Sequence, residues 1–177
     1  MPALSSGPRA PARQRSIFLV RHTSGFLCVT ITGEAADRLG LPPMCSAGEP
    51  LHGPGFTVTV DAVRATTTGI SAADRAQTMR ALADSNSLAP DFTRPGHVLP
   101  IRVADGGVLT QPRREEAALD LARMAGLAAA GVLADVVGAL DPTGMLTNDE
   151  VSVFATQPDC MLCGFRRSLR GDSRPSD

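Results

Sequence analysis

The 177-residue sequence has neither tryptophan nor tyrosine. Stacking on nucleic-acid bases would fall to six phenylalanines, which argues against a single-strand binder. An excess of one charge is lacking as well. The formal net charge is −1, so no global field draws in nucleic acid or an acidic membrane. No apolar run approaches the roughly 20 residues of a membrane helix. Nothing at the start reads as a signal peptide, so the four cysteines (Cys28, Cys45, Cys160, Cys163) are expected as reduced thiols in a cytoplasmic protein. Cys160 and Cys163 have the CxxC spacing of a zinc or redox motif. A zinc site needs a second ligand pair, and neither Cys28 nor Cys45 lies in one, so ordinary thiols are expected.

What is present suffices for one domain with one core. Residues 1–16 are rich in Pro, Ser, Ala and Arg, hold no acidic residue and show no apolar period. They read as a disordered basic arm, with Arg9, Arg13 and Arg15 solvated. Residues 158–177 read as a polar C-terminal tail. The domain between them, residues 17–157, interleaves strand and helix signals and belongs to the α+β class.

Ile17–Val20 is a strand candidate. Phe26–Thr32 is a compact β-branched strand between glycines, and Glu34–Leu39 a short helix stopped by Gly40 and Pro42-Pro43. Along Phe56–Ala62 the alternation puts Phe56, Val58, Val60 and Ala62 on one side and Thr57, Thr59 and Asp61 on the other. Ser71 caps a helix with Asp74 at the capping-box position, and Ala72, Ala76, Met79 and Ala83 form its inner stripe. A second helix, Arg113–Leu127, turns Ala117, Leu121, Met124 and Ala125 inward. Val132-Leu133 and Val151–Phe154 read as later strands, separated by the turn Asp141-Pro-Thr-Gly144.

Two loops carry chemistry. Thr66-Thr-Thr-Gly69-Ile-Ser71 places hydroxyls and a glycine before a helix N-terminus, where free N–H groups favour anions. Arg94-Pro-Gly-His97 presents a histidine beside an apolar strand. Each alone is a weak signal, since such loops more often serve only as a cap or a turn.

Together these segments resemble 3,4-dihydroxy-2-butanone 4-phosphate synthase, which converts ribulose 5-phosphate in riboflavin biosynthesis. The matching stretches are Arg21-His-Thr-Ser-Gly25, Gly55–Val60, Thr67-Thr-Gly-Ile-Ser-Ala-Ala-Asp-Arg75, Arg94-Pro-Gly-His97 and Gly106-Gly-Val-Leu-Thr110, followed by Asp120-Leu, Ala125-Gly and Ala130–Leu133. They keep the family's order from about Arg21 to Phe154. The resemblance implies an α+β sandwich that dimerises, with active sites between subunits. It also implies a magnesium ion, held by carboxylate and imidazole, that clamps vicinal oxygens and stabilises an enediolate. Acidic groups and a histidine move protons, and arginine and hydroxyl donors hold the phosphate.

The departures are specific. The family opens with an acidic loop, Asp-Arg-Glu-x-Glu-Gly-Asp, whereas the first acidic residue here is Glu34, beyond the Arg21-His22 match, so the loop is expected to be missing. The family's Arg-x-Gly-His-Thr-Glu-Ala becomes Gln111-Pro-Arg-Arg-Glu-Glu-Ala117. Gln111 then replaces the phosphate arginine, Arg114 the metal-binding histidine and Glu115 the threonine, while Glu116 is retained. The family's late glutamate falls on Asp135.

What the resemblance carries over is His97 and Asp135 as catalytic residues and Thr68 and Cys28 as substrate contacts. Arg113 and Arg114 would be fixed positive anchors in place of a dication. No metal ligand set survives, because a guanidinium has no lone pair to give. At about 5 Å and an effective dielectric of about 20, Arg114 would repel a dication by several kcal/mol.

The expectation is a divergent homologue of impaired or repurposed activity, with no cofactor, that binds a small phosphorylated sugar or related anion. One alternative is a metal-free enzyme in which His97 is the acid–base group and Asp135 orients it. Another is a non-catalytic partner subunit, in a homodimer or in a heterodimer with a complete homologue. A gene remnant would leave apolar surface where an edge strand was lost, although Ile17–Val20 stands ready to fill that place.

Overall fold

A computed structural model of the chain describes residues 12–45, 53–138 and 143–154. Phe92–Arg102 (β4) is its longest strand. Cys28–Ile31 (β1) runs parallel to one edge of β4, with Cys28 opposite Leu99 and Ile31 opposite Arg102. Ala130–Leu133 (β5) pairs antiparallel with the far edge of β1. Gly55–Phe56 (β2) and Val60–Ala62 (β3) both lie antiparallel against the other edge of β4. A mixed sheet with helices around it is the α+β class expected.

Alternation along β1 assigns its side chains to two faces. Val29 and Ile31 join Val60, Phe92 and Val98 in the main core. Leu39 and Leu41, which follow Gly33–Arg38 (α2), and Leu82 of Ala72–Ala83 (α3) complete that core. Each such side chain, fully buried, contributes about 1.5–3 kcal/mol. Cys28, Leu99 and Ile101 form a smaller cluster, with Phe56 and Leu133 packed against it. Both helices start on side-chain caps. Thr32 Oγ1 accepts the Ala35 N–H at 3.1 Å, and Ser71 Oγ accepts the Asp74 N–H at 3.0 Å.

Several expectations are corrected. Ile17–Val20 is not a strand: Ala12–His22 is a helix (α1) packed on α3, with Ser16 buried. That helix also takes in residues 12–16 of the expected arm, while residues 1–11 lie outside the described part. Its β-branched residues weaken it only slightly, and docking on α3 outweighs that local preference. Val151–Phe154 is likewise helical, within Asn148–Phe154 (α5). Thr147 N–H donates to Glu150 Oε2 at 2.9 Å, and Thr147 Oγ1 accepts the Glu150 N–H at 3.4 Å, a reciprocal cap that starts this helix. The turn at 141–144 lies partly outside the described residues, and the tail with Cys160 and Cys163 wholly so.

The single strand read from Phe56 to Ala62 is divided, and its clean alternation fails, because Thr57 and Asp61 are buried. Thr57 Oγ1 donates to the Pro100 carbonyl at 3.1 Å, which satisfies its hydroxyl in the interior. On α3 the buried positions are Asp74, Arg75, Ala76, Thr78 and Leu82, so only Ala76 of the expected stripe is fully inside. Arg114–Met124 (α4) is rotated further from expectation. Glu115, Glu116 and Leu119 face inward, while Leu121 and Met124 are 54% and 83% exposed. Hydrogen bonds decide that rotation. Glu116 Oε1 accepts the Ala104 N–H at 3.2 Å, and Asp120 Oδ2 accepts the Val108 N–H at 2.9 Å.

Between β3 and β4 the pairing jumps from Val60↔Val98 to Asp61↔Thr93, so β4 bows away over residues 94–97. Gly96 sits at this bow because a Cβ there would lie 2.0 Å from the Val60 carbonyl carbon. The bow delivers His97 to the site described next.

Candidate functional site

At the bow, Gly96 N–H donates to Thr59 Oγ1 at 3.1 Å and His97 N–H donates to Asp61 Oδ1 at 3.0 Å. The His97 ring follows its backbone: Nδ1 lies 2.6 Å from Asp61 Oδ2. The Asp61 side chain is 11% exposed and that of His97 40%, so the carboxylate is inside and the ring reaches solvent.

The threonine loop closes over this pair. Gly69 has φ +86°, a left-handed conformation that suits glycine. A Cβ there would fall 2.0 Å from Asp61 Oδ2 and 2.7 Å from His97 Nδ1. Asp74, at the start of α3, ties the loop down. Its carboxylate accepts from Thr67 Oγ1 at 2.8 Å, and from the N–H groups of Thr67 and Gly69 at 3.2 Å each. The Thr67 hydroxyl, followed by the other donors around it, holds the Asp74 carboxyl below its ordinary range. Thr68 is exposed between these anchored neighbours.

A second cluster lies at the end of β1. Phe26, Cys28, Phe56, Ile101, Leu133 and Ala134 line a small apolar hollow, with Arg114, Glu115 and Asp135 at its rim. Arg114 grips Asp135 with both terminal nitrogens, Nη1 closely and Nη2 at 3.5 Å, and its Nε donates to Glu115 Oε1 at 3.0 Å. These two carboxylates, Asp135 first, strengthen the guanidinium's hold on its proton. Burial pushes the Cys28 thiol up to about 11, and the charge of Asp135 adds to that effect. Arg113 does not join the cluster, since its Nη1 donates to the Gly53 carbonyl at 2.8 Å.

The structure therefore brings Cys28, Arg114 and Asp135 together and sets His97 and Thr68 apart with Asp61 and Gly69. His97 precedes Leu99 by two residues on β4, so strand alternation puts it on the Cys28 side of the sheet. Within the chain the carboxylate on His97 is Asp61, not Asp135, which is committed to Arg114. By alternation alone Asp61 falls on the polar face of its strand with Thr57 and Thr59. No local pattern links it to a histidine 36 residues later. The one available signal was its place next to the buried end of an otherwise alternating strand.

A family model for 3,4-dihydroxy-2-butanone 4-phosphate synthase matches residues 12–167. The chain belongs to that family. The riboflavin biosynthesis protein RibBA of Nocardia farcinica is 55% identical over 145 residues, which cover 82% of this chain and 35% of that protein. RibBA of Mycobacterium avium is 56% identical, with coverages of 82% and 34%. This family member thus spans about a third of the length of the curated relatives it matches. Among solved structures, the synthase of Candida albicans superposes with a TM-score of 0.74 at 42% identity, covering 81% of this chain and 70% of that one. A synthase solved in complex with two magnesium ions gives a TM-score of 0.74 at 38% identity, with coverages of 81% and 71%.

Magnesium does not fit the described residues around Arg114. Asp135 and Glu115, the hard oxygen donors there, are both bound by the guanidinium, and the remaining donor is a buried, protonated thiol. Among the described residues no group of three or more His, Cys, Asp or Glu converges on one point, and none of those described helices is long and apolar enough to cross a membrane.

Proposed function

We propose that this domain binds a small phosphorylated sugar or related anion and is a divergent synthase homologue with an impaired parent reaction. That reaction takes ribulose 5-phosphate to 3,4-dihydroxy-2-butanone 4-phosphate plus formate, in riboflavin biosynthesis. The observation that carries the reading is the Arg114 clamp. A permanent cation, held by Asp135 and Glu115, stands where the resemblance places a metal-ligating histidine. It repels a dication and occupies the carboxylates that would receive one.

Acid–base equipment remains. His97 presents its ring to solvent beside a buried carboxylate, as proton abstraction next to a carbonyl requires. The residual chemistry is enolisation: His97 takes the proton from the carbon adjacent to the carbonyl, and the C–H electrons form the carbon–carbon double bond. The carbonyl π pair passes to oxygen, and the resulting enediolate takes a proton from solvent to give the enediol. Arg114 stands on the same side as a positive anchor for an anionic substrate. The test is ribulose 5-phosphate with the purified chain in deuterated solvent, with magnesium and with a chelator. Slow deuterium uptake and no enzyme-like formate release are expected in both conditions. Magnesium-dependent formate at an enzyme-like rate would overturn the reading.

A second reading, a partner subunit, has its own support. The outer side of α4 and the nearby strand leave Leu121, Met124, Leu127 and Val132 between 41% and 83% exposed. A homodimer, or a heterodimer with a complete homologue, would cover them. Sedimentation of the pure chain, and co-purification with a full-length relative, separate these assemblies from a monomer.

A further inference from the structure

We infer that Asp61 is a positioning residue: it holds His97 in the tautomer protonated at Nδ1 and leaves the Nε2 lone pair as the working base. The substrate class rests on the proposed function, but the geometry does not. Asp61 makes two contacts with one residue. Its Oδ1 accepts the His97 backbone N–H at 3.0 Å, which fixes the carboxylate and directs Oδ2 at the ring. Oδ2 then lies 2.6 Å from Nδ1. An ionised carboxylate only accepts hydrogen bonds, so the hydrogen between them belongs to Nδ1. A neutral imidazole carries one N–H, and the lone pair is therefore left on Nε2.

The surroundings prevent the alternative. Gly69 roofs the pair so closely that even a methyl group would collide with both partners. That roof is tied through Gly69 N–H to Asp74 Oδ2 at 3.2 Å, and Asp74 is itself anchored by Thr67. The carboxylate near Cys28 cannot take over, because Asp135 is engaged by Arg114. A chain of contacts, Asp74 to Gly69 to Asp61 to His97, sets the chemistry of one exposed nitrogen.

The test reads the tautomer directly. The full chain, labelled with ¹⁵N, has only three histidines, and His97 is assigned by the signals that vanish in His97→Gln. Long-range ¹H–¹⁵N correlation, about two pH units above the ordinary imidazole value, should show a protonated Nδ1 and an unprotonated Nε2. In Asp61→Asn the amide oxygen keeps the His97 N–H and the amide NH₂ faces Nδ1, so the two nitrogen signals should exchange character. A wild-type ring protonated at Nε2, or an unchanged tautomer in folded Asp61→Asn, would refute the role of Asp61. If that variant does not fold, the wild-type spectrum decides alone.

Deuterium uptake into ribulose 5-phosphate adds a kinetic arm. Asp61→Asn should lower kcat on the order of 100-fold with KM unchanged. Full uptake in a variant whose tautomer has flipped also refutes the inference. The expected tautomer without any uptake in the wild type counts against enolisation and leaves the positioning role standing.

Discussion

Asp61 and Asp135 both stand beside a nitrogen base at the edge of the same sheet, yet their partners give them opposite consequences. Asp61 is buried and holds an imidazole, a group that can stand neutral or protonated. Asp135 is 37% exposed and holds a guanidinium, which stays charged at every accessible pH. The first pair keeps a proton in play and offers a free nitrogen to a ligand. The second is neutralised internally, and its oxygens are committed. Pairing alone therefore says little about function. What matters is whether the partner can change its protonation state and whether any coordinating atom is left over.

The largest test of that contrast is Arg114→His. It removes the fixed cation and frees both carboxylates, so magnesium affinity measured by calorimetry should rise on the order of 1,000-fold. Unchanged affinity would mean that Arg114 is not what excludes the ion.

Gly69→Ala attacks the other pair through its roof. The new methyl group would meet Asp61 and His97 at 2.0 and 2.7 Å from a φ of +86°. A loss of about 2–4 kcal/mol in urea unfolding is expected. A loss below about 1 kcal/mol would show that the roof can lift freely.

Cys28 and Cys45 make a smaller comparison of the same kind. At about pH 8 a thiol raised to about 11 carries roughly 100-fold less thiolate than one at the ordinary value of 9.0. Iodoacetamide labelling followed by peptide mass mapping should therefore leave buried Cys28 largely unmodified under conditions that label exposed Cys45. Equal rates would mean that the hollow opens readily.

The mildest expected effect concerns Asp74. Its carboxyl is held below the ordinary 3.8, so its contribution to stability is full above that value and is lost as pH falls through the lowered one. Unfolding midpoints measured from pH 6 down to pH 2 should decline less in Asp74→Asn than in the wild type. Parallel curves would remove Asp74 from the acid response.

Legibility varied with the origin of each feature. Short-range hydrogen bonds were readable: Ser71 does cap α3, with Asp74 in the box position. The Thr147–Glu150 cap was equally present as a Thr-x-x-Glu pattern, and it outranks the β-branched run that suggested a strand at Val151–Phe154. The rotation of α4 was hidden. Its apolar residues suggested one inner face, but buried acceptors for the backbone of the 104–108 turn demanded another.

By itself the sequence determined the family, the α+β class and the Ser71 cap that starts α3. These follow from local order and residue type, which tertiary contacts do not alter. Only the folded chain decided which acid meets which base. The bow in β4 brings His97 onto Asp61 across 36 residues, and β5 carries Asp135 to Arg114 across 21. Such pairings depend on register and on where a strand departs from it. One residue of slip exchanges the faces of a sheet, so the partners exist only once the sheet has formed.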